Sequence, residues 1–501
     1  MLAICSLSLF IVSLDNTIVN VALPSLQHQF HASTSGLQWV VDAYLLVLAA
    51  LLLFSGSSGD RFGRKRVFQT GLVIFGVGST LCSAAPSLPL LVAFRMLQAV
   101  GGSMLTPNTL SIISNVFTDR RERAAAIGLW GGVSGLSTAA GPILGGLLIQ
   151  AVDWRAVFWV NLPIVLAAFV LTARFVPESR ADRPRRFDPP GQLLAVVLLA
   201  SLTYGIIEGP TAGWSAPSEM ACFIGAGASL VAFLVVESRR DQPLLELRFF
   251  RSPPFSGATA IAVLAFSILA GWLFLNTLYL QEVRGDSALV AGLSTAPATI
   301  VIAVVAPLTG RVVGRRGARL PLVFSGLFLA AGTAVLIFTR PTTGYWLLAL
   351  GYLALGLGFG LVNPPISNTA VSGMPPAQAG TASAVASTAR QVGAVLGVAV
   401  LGSVVTSEFH RQLASRLATA PLSAAEKARL AHASVGASGI GTGADASVHH
   451  LVGSAFTAAT HAGWAVATGA GVMLALVGLV SAGPWAMRTA ERTVSDLDPP
   501  G

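Results

Sequence analysis

Charged residues are scarce in this chain. Only 11% of its 501 residues are Asp, Glu, Lys or Arg, and 53% are hydrophobic, whereas about a quarter of a typical soluble chain is charged. So few charged residues cannot cover the roughly three soluble domains that the length would suggest. The composition also excludes a disordered chain and a coiled coil. It indicates a membrane protein that crosses the bilayer many times.

Cysteine is scarce too, and the motifs of common enzymes are missing. The three cysteines, Cys5, Cys82 and Cys222, are odd in number and lie in apolar stretches, which excludes a disulfide framework. The sequence has no Walker-type phosphate loop, no Ser-His-Asp arrangement and no metal cluster, so neither direct ATP drive nor an enzymatic role is expected. We therefore expect no metal and no cofactor.

Apolar stretches make up most of the chain, and each is long enough to cross a bilayer as a helix of about 20 residues. The fourteen stretches are 2–23, 39–58, 67–85, 88–112, 124–150, 156–176, 190–208, 219–237, 255–281, 288–310, 320–339, 343–363, 380–406 and 462–484. The alternating pattern of a membrane barrel is absent. The first stretch lacks the basic start and the cleavage site of a signal peptide. We expect an all-α membrane protein with fourteen transmembrane helices.

The basic residues predict the orientation of the chain. With a cytoplasmic N-terminus, 22 of the 31 Lys and Arg lie on the cytoplasmic side, 7 lie in outer loops, and Arg95 and Arg390 fall within spans. Because Lys and Arg favour the cytoplasmic side, both termini should be cytoplasmic. The net charge of +9 forms no single basic stripe, so nucleic acid is not an expected partner. Met1 lies close to the first stretch, which leaves room for a short cytoplasmic lead upstream.

The second half of the chain repeats features of the first. Glycine- and arginine-rich segments at 56–65 and 310–319 lie 254 residues apart, and a glycine and a proline six residues apart in the fourth stretch recur in the twelfth at an offset of 257. Nearly equal offsets indicate a duplication, and six-helix repeats around a central pathway are a transporter architecture. The expected units are six-helix bundles at 1–180 and 251–486, two linker helices within 181–250, a long outer segment at 407–461 and a cytoplasmic tail at 487–501.

Five motifs, in order and on the expected spans, resemble those of a known family. They are residues 14–24 in the first span, 59–65 in the following loop, Arg95 with Gly101 in the fourth span, 141–146 in the fifth, and 154–163 entering the sixth. Over nearly its whole length the chain resembles the major facilitator superfamily, and specifically its 14-spanner drug:proton antiporter branch.

The resemblance implies proton-coupled efflux of hydrophobic or cationic drugs, including antibiotics, across the cytoplasmic membrane by alternating access. It also implies a monomer whose partners are small-molecule substrates, protons and the lipid bilayer, with the proton gradient in place of a cofactor. An exporter of an endogenous lipid or metabolite with the same fold is the alternative. A non-transporting receptor or enzyme forms a third class, for which no motif is present.

Charged residues inside the membrane are the first candidates for mechanism, because an ionised group there costs at least about 2.5–3.5 kcal/mol. Asp15 and Arg95 fall about 12 Å and about 10 Å below the outer surface at the helical rise, so an ion pair between them would offset their desolvation. Asp42 lies nearer the outer mouth. In the resembled family, acidic residues at the positions of Asp15 and Asp42 are linked to proton coupling and to cationic drugs. A fixed structural ion pair, or a hydrated Asp42, is the competing interpretation.

Two glycine-containing motifs are the candidates for conformational change. In the resembled family the first is a gating loop that latches the two halves when the transporter is open to the outside, and the second is the antiporter signature of a kinked helix. Anchoring of topology and tight helix packing are the competing interpretations. The loop residues are Gly56, Gly59, Asp60, Arg61, Gly63, Arg64 and Lys65, and the antiporter residues are Gly141, Pro142, Gly145 and Gly146.

Several other polar residues are left open. Arg390 either extends to the interface or lines a cavity, Glu208 is expected at the interface, and Asn276 and Asn363 bond either substrate or a neighbouring helix. All seven histidines are expected outside or at the outer edge, without a metal-binding pattern. The segment 407–461 is expected to form two short amphipathic helices, as an outer cap or an interfacial hairpin.

Overall fold

The protein is described by a computed structural model that covers residues 2–117, 119–180, 187–240, 243–371, 379–420, 422–431 and 446–483. All regular structure within these ranges is helical, and no strand occurs in them. This is what a bilayer requires, because a helix satisfies its own backbone hydrogen bonds. The expected cytoplasmic tail at 487–501 lies outside the described residues.

Seventeen α-helices form the described fold. The first part of the chain holds α1 (Leu2–Phe30), α2 (Thr34–Phe62), α3 (Arg64–Ser83), α4 (Leu88–Val116), α5 (Arg120–Ala151), α6 (Ala156–Trp159) and α7 (Asn161–Phe175). The middle holds α8 (Pro189–Ala212) and α9 (Pro217–Ser238). The last part holds α10 (Pro253–Leu278), α11 (Ala288–Ser294), α12 (Ala296–Arg316), α13 (Arg319–Ile337), α14 (Tyr345–Val371), α15 (Ala379–Thr419), α16 (Ala424–Ala431) and α17 (Ala446–Ser481). A 3₁₀ turn at Leu247–Arg251 precedes α10, and a π-helical turn at Tyr279–Val283 follows it.

Twelve helical segments in the described ranges are long and apolar enough to cross a membrane. They match twelve of the fourteen apolar stretches. The two other stretches are also helical, as α3 and α5. Glycine, serine and threonine lower the hydropathy of α3, and within α5 the apolar helix is shorter, at Gly135–Ala151. The structure therefore supports an all-helical membrane fold with twelve candidate spans.

The helices pack as two bundles with a pair at the side. α1 to α7 pack against one another, as do α10 to α17, while α8 packs on α9 and also touches α2 and α15. The two bundles meet along α2 with α15 and along α5 with α11 and α12. α2 and α15 also contact each other directly, so α8 does not separate the bundles. The contact surface of the two bundles, here called the seam, is therefore formed mainly by α2 and α5 of the first bundle and by α11, α12 and α15 of the second.

The predicted repeat has a backbone counterpart in the structure. Gly63 ends α2 with φ of +107°, and Gly317, which lies 254 residues later, ends α12 with φ of +79°. Glycine adopts this left-handed region without the steric cost that a side chain would bring. Each half therefore turns from its second to its third spanning helix through a glycine at the equivalent position.

The segment 407–461 differs from the two short helices expected there. α15 continues without a break to Thr419 and α17 begins at Ala446, so that among the described residues of the segment α16 alone is a short helix. The reason lies in the spacing of Phe409, Leu413 and Leu417, which lie four residues apart and are all buried. This stripe continues the buried face of α15, and Phe409 packs edge-on against Phe456 of α17 with ring centroids 6.3 Å apart. Residues 432–445 lie outside the described residues.

Candidate functional site

Asp15 and Arg95 form an ion pair inside the first bundle. Asp15 lies in the middle of α1 and is fully buried, and Arg95 lies in α4 with 1% of its surface exposed. The Nη1 atom of Arg95 is 2.5 Å from Oδ2 of Asp15. Each charge offsets the desolvation of the other, so a pair that would be costly as two single charges is tolerated in the bundle.

A polar network surrounds this ion pair. The other carboxylate oxygen of Asp15 accepts hydrogen bonds from Nε2 of Gln98 at 2.9 Å and from Nδ2 of Asn161 at 3.0 Å. Arg95 donates to Oε1 of Gln98 at 2.7 Å, and Asn161 also donates to the hydroxyl of Ser79 at 3.1 Å. The network thus joins α1, α3, α4 and α7, and it holds Asp15 through three donors.

Aromatic rings complete the surroundings of Arg95. Its guanidinium carbon lies 4.0 Å from the ring centroid of Tyr44 and 5.9 Å from that of Phe158, and its Nε donates to the carbonyl of Val40 at 3.4 Å. A guanidinium over an aromatic face is attracted by the ring quadrupole. The positive charge is therefore held by a carboxylate and two ring faces, and it is not directed into open space.

Asp42 is buried in a different way. It is fully buried in α2, and neither of its carboxylate oxygens has a hydrogen-bond partner among the described residues. Tyr44, which contacts Arg95, lies about 200° around the helix from Asp42 at 3.6 residues per turn. Asp42 therefore lies on the side of α2 that faces away from the Asp15–Arg95 pair.

The seam between the bundles runs along that other side of α2. Gln38 lies one turn before Asp42, and its amide donates to the carbonyls of Val398 and Ala399 on α15 at 3.0 and 3.1 Å. Residues four apart share a helix face, so Asp42 lies on the face that meets α15. The three charged residues predicted from the sequence thus form one pair within a bundle and one single carboxyl group at the seam.

The gating loop is a tight turn held on the first bundle. Gly59 packs against Asn108 so closely that a side chain at Gly59 would collide with it. Asp60 accepts a hydrogen bond from Nη2 of Arg64 at 2.8 Å, one helical turn later. On the side of the linker, the guanidinium of Arg61 lies 5.2 Å from the ring centroid of Phe187. A side chain at Gly56 would meet Pro107 at ordinary van der Waals distance.

Glu178 is a loop contact that the sequence interpretation missed. Its Oε1 accepts from the backbone N–H of Lys65 at 3.1 Å, and its Oε2 lies 3.7 Å from Nε of Arg66. A side chain at Gly63 would come within 2.7 Å of the same carboxylate, so this close approach adds to the need for glycine there. The ammonium of Lys65 donates to the carbonyl of Ala173 at 2.9 Å. The sequence offered one indication of this contact, namely that Glu178 is an acidic residue close after a span in a region rich in arginine.

The antiporter motif on α5 lies where the two bundles cross. Side chains at Gly141 and Gly145 would collide with Thr17 and Ile18 of α1. Gly146 lies against the backbone of Ala288 at the start of α11, and the carbonyl of Pro142 lies against Gly292 of α11. One face of the motif therefore packs on α1 of its own bundle, and the adjacent face packs on the other bundle.

The remaining polar residues are placed as follows. Arg390 donates to the hydroxyls of Ser387 at 2.8 Å and Ser367 at 3.4 Å, and no carboxylate of the described residues forms an ion pair with it. Glu208 accepts from the indole N–H of Trp39 at 2.9 Å, which joins α8 to α2. Asn276 accepts from the Tyr352 hydroxyl at 2.5 Å within the second bundle, whereas Asn363 is exposed.

The fold, the buried charges and the paired motifs define a membrane transporter. The family model of the Major Facilitator Superfamily matches residues 5–398, so the chain belongs to this superfamily. It is a multi-pass membrane protein that moves small molecules, and it is not an enzyme.

Curated relatives refine this class. The chain is 37% identical to the multidrug resistance protein Stp of Mycobacterium tuberculosis (strain CDC 1551 / Oshkosh) over 82% of this chain and 76% of that protein. It is 38% identical to the tetracenomycin C resistance and export protein of Streptomyces glaucescens, with 80% and 75% covered. It is 37% identical to the multidrug efflux pump LfrA of Mycolicibacterium smegmatis (strain ATCC 700084 / mc(2)155), with 82% and 81% covered.

Solved structures share the fold at low sequence identity. A bacterial homolog of the human lysosomal transporter Spinster, in an inward-facing and unoccupied conformation, aligns with a TM-score of 0.69 at 18% identity, covering 98% of this chain and 97% of that one. A structure described as giving insight into proton-dependent oligopeptide transporters aligns with a TM-score of 0.62 at 15% identity, covering 97% and 99%. These likenesses show the fold.

Proposed function

We propose that the chain exports hydrophobic or cationic drugs and antibiotics across the cytoplasmic membrane in exchange for protons, by alternating access. The relatives with about 37% identity carry names of multidrug and antibiotic efflux proteins, which supports the substrate class. The observation that carries the proton part is Asp42, a fully buried carboxyl group without a partner among the described residues, on the face of α2 that meets the other bundle.

The proposed topology has fourteen spans in a six-two-six plan, with both termini in the cytoplasm. α3 and α5 supply the two spans beyond the twelve most apolar ones. The excess of basic residues in the loops that follow α2, α7, α9 and α12 supports this orientation. The end of the molecule where α1 ends and α2 begins, here called the α1–α2 end, then faces outside. The proposed working unit is a monomer in the lipid bilayer.

The conformation is proposed to be closed to the outside. Contacts between the bundles gather at the α1–α2 end: Gln38 with α15, Gly146 with α11, and Gln281 with the carbonyl of Val21 at 3.1 Å. At the opposite end, the gating loop binds its own bundle and the linker through Lys65 and Arg61. Release of these contacts on opening to the outside would free Asp60 and Arg61 to latch the second bundle.

Asp42 links this conformation to a proton. An ionised carboxylate buried without a partner costs several kcal/mol, so the protonated acid is the form that fits the closed seam. When the seam opens, water reaches Asp42 and the ionised form becomes tolerable. Closing the seam therefore requires uptake of a proton from the outside. Release of this proton to the cytoplasmic side then leaves an ionised Asp42 that favours reopening of the seam, so one proton enters in each cycle.

The Asp15–Arg95 network has a different proposed role. It connects four helices of the first bundle through charged and neutral hydrogen bonds, so it keeps that bundle rigid while the seam on α2 opens and closes. A substrate that reached Arg95 or Asp15 would have to break this network. We therefore assign the exchangeable proton to Asp42 first, with Asp15 as the second acidic site of the cycle.

The test combines resistance with proton flux. A panel of antibiotics and dyes is applied to cells that lack other pumps and express the chain, and the same compounds are added to inverted membrane vesicles that report proton release. We expect resistance to several unrelated compounds and substrate-induced proton release that Asp42→Asn strongly reduces. Resistance to none of the compounds, without proton release, would overturn drug efflux in favour of an endogenous cargo such as a lipid.

A further inference from the structure

A histidine and a glutamate join the two bundles at the α1–α2 end. His28 lies in the last turn of α1, and Glu282 lies in the π-helical turn that follows α10. Nε2 of His28 is 3.3 Å from Oε1 of Glu282. The side chain of His28 is 60% exposed, whereas that of Glu282 is 5% exposed. The carboxylate of Glu282 is thus shielded from solvent, and its partner, the imidazole of His28, is exposed to solvent.

The π-helical turn presents this carboxylate to α1. Turns of this kind are rare and often occur at functional sites, because one extra residue per turn shifts the side chains that follow. Within Tyr279–Val283, Gln281 donates to the carbonyl of Val21 and Glu282 contacts His28, both on α1. Tyr279 anchors the turn in its own bundle by donating to the carbonyl of Arg340 at 2.9 Å. The turn is therefore fixed to one bundle and reaches across to the other.

Other charged or titratable groups lie on the elements around this contact. They are His31 after α1, Asp153 and Arg155 before α6, Arg284 and Asp286 after the π turn, Arg340 before α14, and His461 in α17. Asp153 pairs with Arg155 at 3.2 Å, and Arg284 pairs with Asp286 at 3.4 Å. His461 contacts the carbonyl of Thr339 at 2.6 Å. Glu282 therefore has His28 as its ion-pair partner among the described residues.

We propose that His28 and Glu282 are the latch of the outer gate and that the external pH sets its strength. The proposal rests on the orientation and the alternating access proposed above. Histidine is the side chain that changes charge between about pH 5 and 8. At acid external pH the contact is an ion pair, which keeps the mouth closed. At alkaline external pH the neutral imidazole offers only a hydrogen bond, so the mouth opens more easily.

The experiment measures how often the outer mouth is open. Spin labels are attached at Val152→Cys, which reports the first bundle, and Thr342→Cys, which reports the second, with Cys5, Cys82 and Cys222 replaced by alanine. Both label sites are exposed at the α1–α2 end. Distances are measured in proteoliposomes while the pH of one side is varied. The background carries Asp42→Asn, so that protonation of Asp42 does not contribute.

In this background we expect the open population to rise about fivefold to tenfold when the pH on the α1–α2 side goes from 5.5 to 8, as expected when a charged hydrogen bond is replaced by a neutral one. His28→Gln and Glu282→Gln should each be open more often and lose the pH response. His31→Asn is the matched control, because His31 is an exposed histidine in the same turn with φ of +50°, a conformation that asparagine accepts. It should keep the response.

Two results would overturn the latch: a pH response that persists in His28→Gln, or one that is absent from the parent. The double variant His28→Glu with Glu282→His exchanges the two side chains. Because it keeps the contact between a histidine and a glutamate, its outer mouth should be closed as often as in the parent. The distance measurement needs no substrate, so failure of drug export in the panel leaves it interpretable. If the open population responds only to the pH on the other side of the membrane, the proposed orientation of the chain is wrong.

Discussion

Asp15 and Asp42 are two acidic residues with the same burial and opposite surroundings. Both are fully buried within membrane helices. Asp15 accepts hydrogen bonds from Arg95, Gln98 and Asn161, whereas Asp42 has no partner among the described residues. Burial alone therefore does not identify a proton site. A carboxylate held by three donors is stabilised as a charge, and a carboxyl group without donors is stabilised as a neutral acid.

The largest effect is expected when the charge balance of the Asp15 site is broken. Arg95→Met leaves Asp15 buried without its cation, and breaking one partner of a buried pair costs about 3–5 kcal/mol. We expect a strong loss of folded protein, measured as the melting temperature in detergent and the amount in the membrane. The double variant Asp15→Asn with Arg95→Met should recover most of the loss, and a single variant as stable as the parent would contradict the pair.

A smaller loss is expected from the neutral part of the same network. Gln98→Leu removes the amide that bonds both Asp15 and Arg95, while leaving the ion pair. Each of the two lost hydrogen bonds costs at most about 1.5–3 kcal/mol, and the total is reduced because Asp15 and Arg95 keep each other as partners. The thermal stability should fall by less than in Arg95→Met. Because Gln98 is assigned no proton, the ratio of protons to drug should stay unchanged, and a changed ratio would make Gln98 part of coupling.

The Asp42 site should respond in the opposite way. Asp42→Asn replaces a neutral acid by a neutral amide of the same size, so stability should fall much less than in Arg95→Met, which leaves a buried charge without its partner. Substrate-induced proton release should fall about tenfold or more, which corresponds to about 1.4 kcal/mol. Asp15→Asn is the matched variant, which should lose stability because Arg95 stays charged. If Asp42→Asn and Asp15→Asn lose the same stability, the proposed difference between the two acidic residues is wrong.

The smallest effect is expected next to Asp42. Gln38→Leu removes the two hydrogen bonds from α2 to the carbonyls of Val398 and Ala399, each worth about 0.5–1.5 kcal/mol. The closed seam should become less populated while the first bundle stays intact. Accessibility of a cysteine introduced at Asp42 to a reagent added outside would report this. Unchanged accessibility would mean that the seam is held elsewhere, for example at Gly146.

The sequence was sufficient for twelve of the spans, for the repeated turn and for the pairing of Asp15 with Arg95. These follow from the fixed rise of a helix and from the cost of charge in a bilayer, which hold before any tertiary contact is known. The thirteenth and fourteenth spans, α3 and α5, remain predictions, because α3 is rich in glycine and hydroxyl residues and the apolar helix within α5 is shorter, at Gly135–Ala151. The roles of the gating loop and of the antiporter motif remain predictions.

Other features required three-dimensional contacts. Gln98, Asn161 and Ser79 are ordinary polar residues in apolar stretches, and only the packing of four helices shows that they converge on Asp15. The difference between Asp15 and Asp42 was also hidden, because it depends on which face of α2 meets which bundle. In the segment 407–461 the arrangement of the leucines suggested two short amphipathic helices, although the buried spacing from Phe409 to Leu417 continues that of α15.

The unbroken length of α15 has a mechanical consequence. From its contact with Gln38 at Ala399 to its end at Thr419 the helix runs twenty residues, or about 30 Å at 1.5 Å per residue. Because α17 packs along it, this part is a stiff lever fixed to the second bundle. A rotation of the bundle by about 10° would move its tip by about 5 Å. In the proposed orientation this tip lies outside the membrane, so a binder that never enters the cell could contact it and restrict the proposed rocking at the seam.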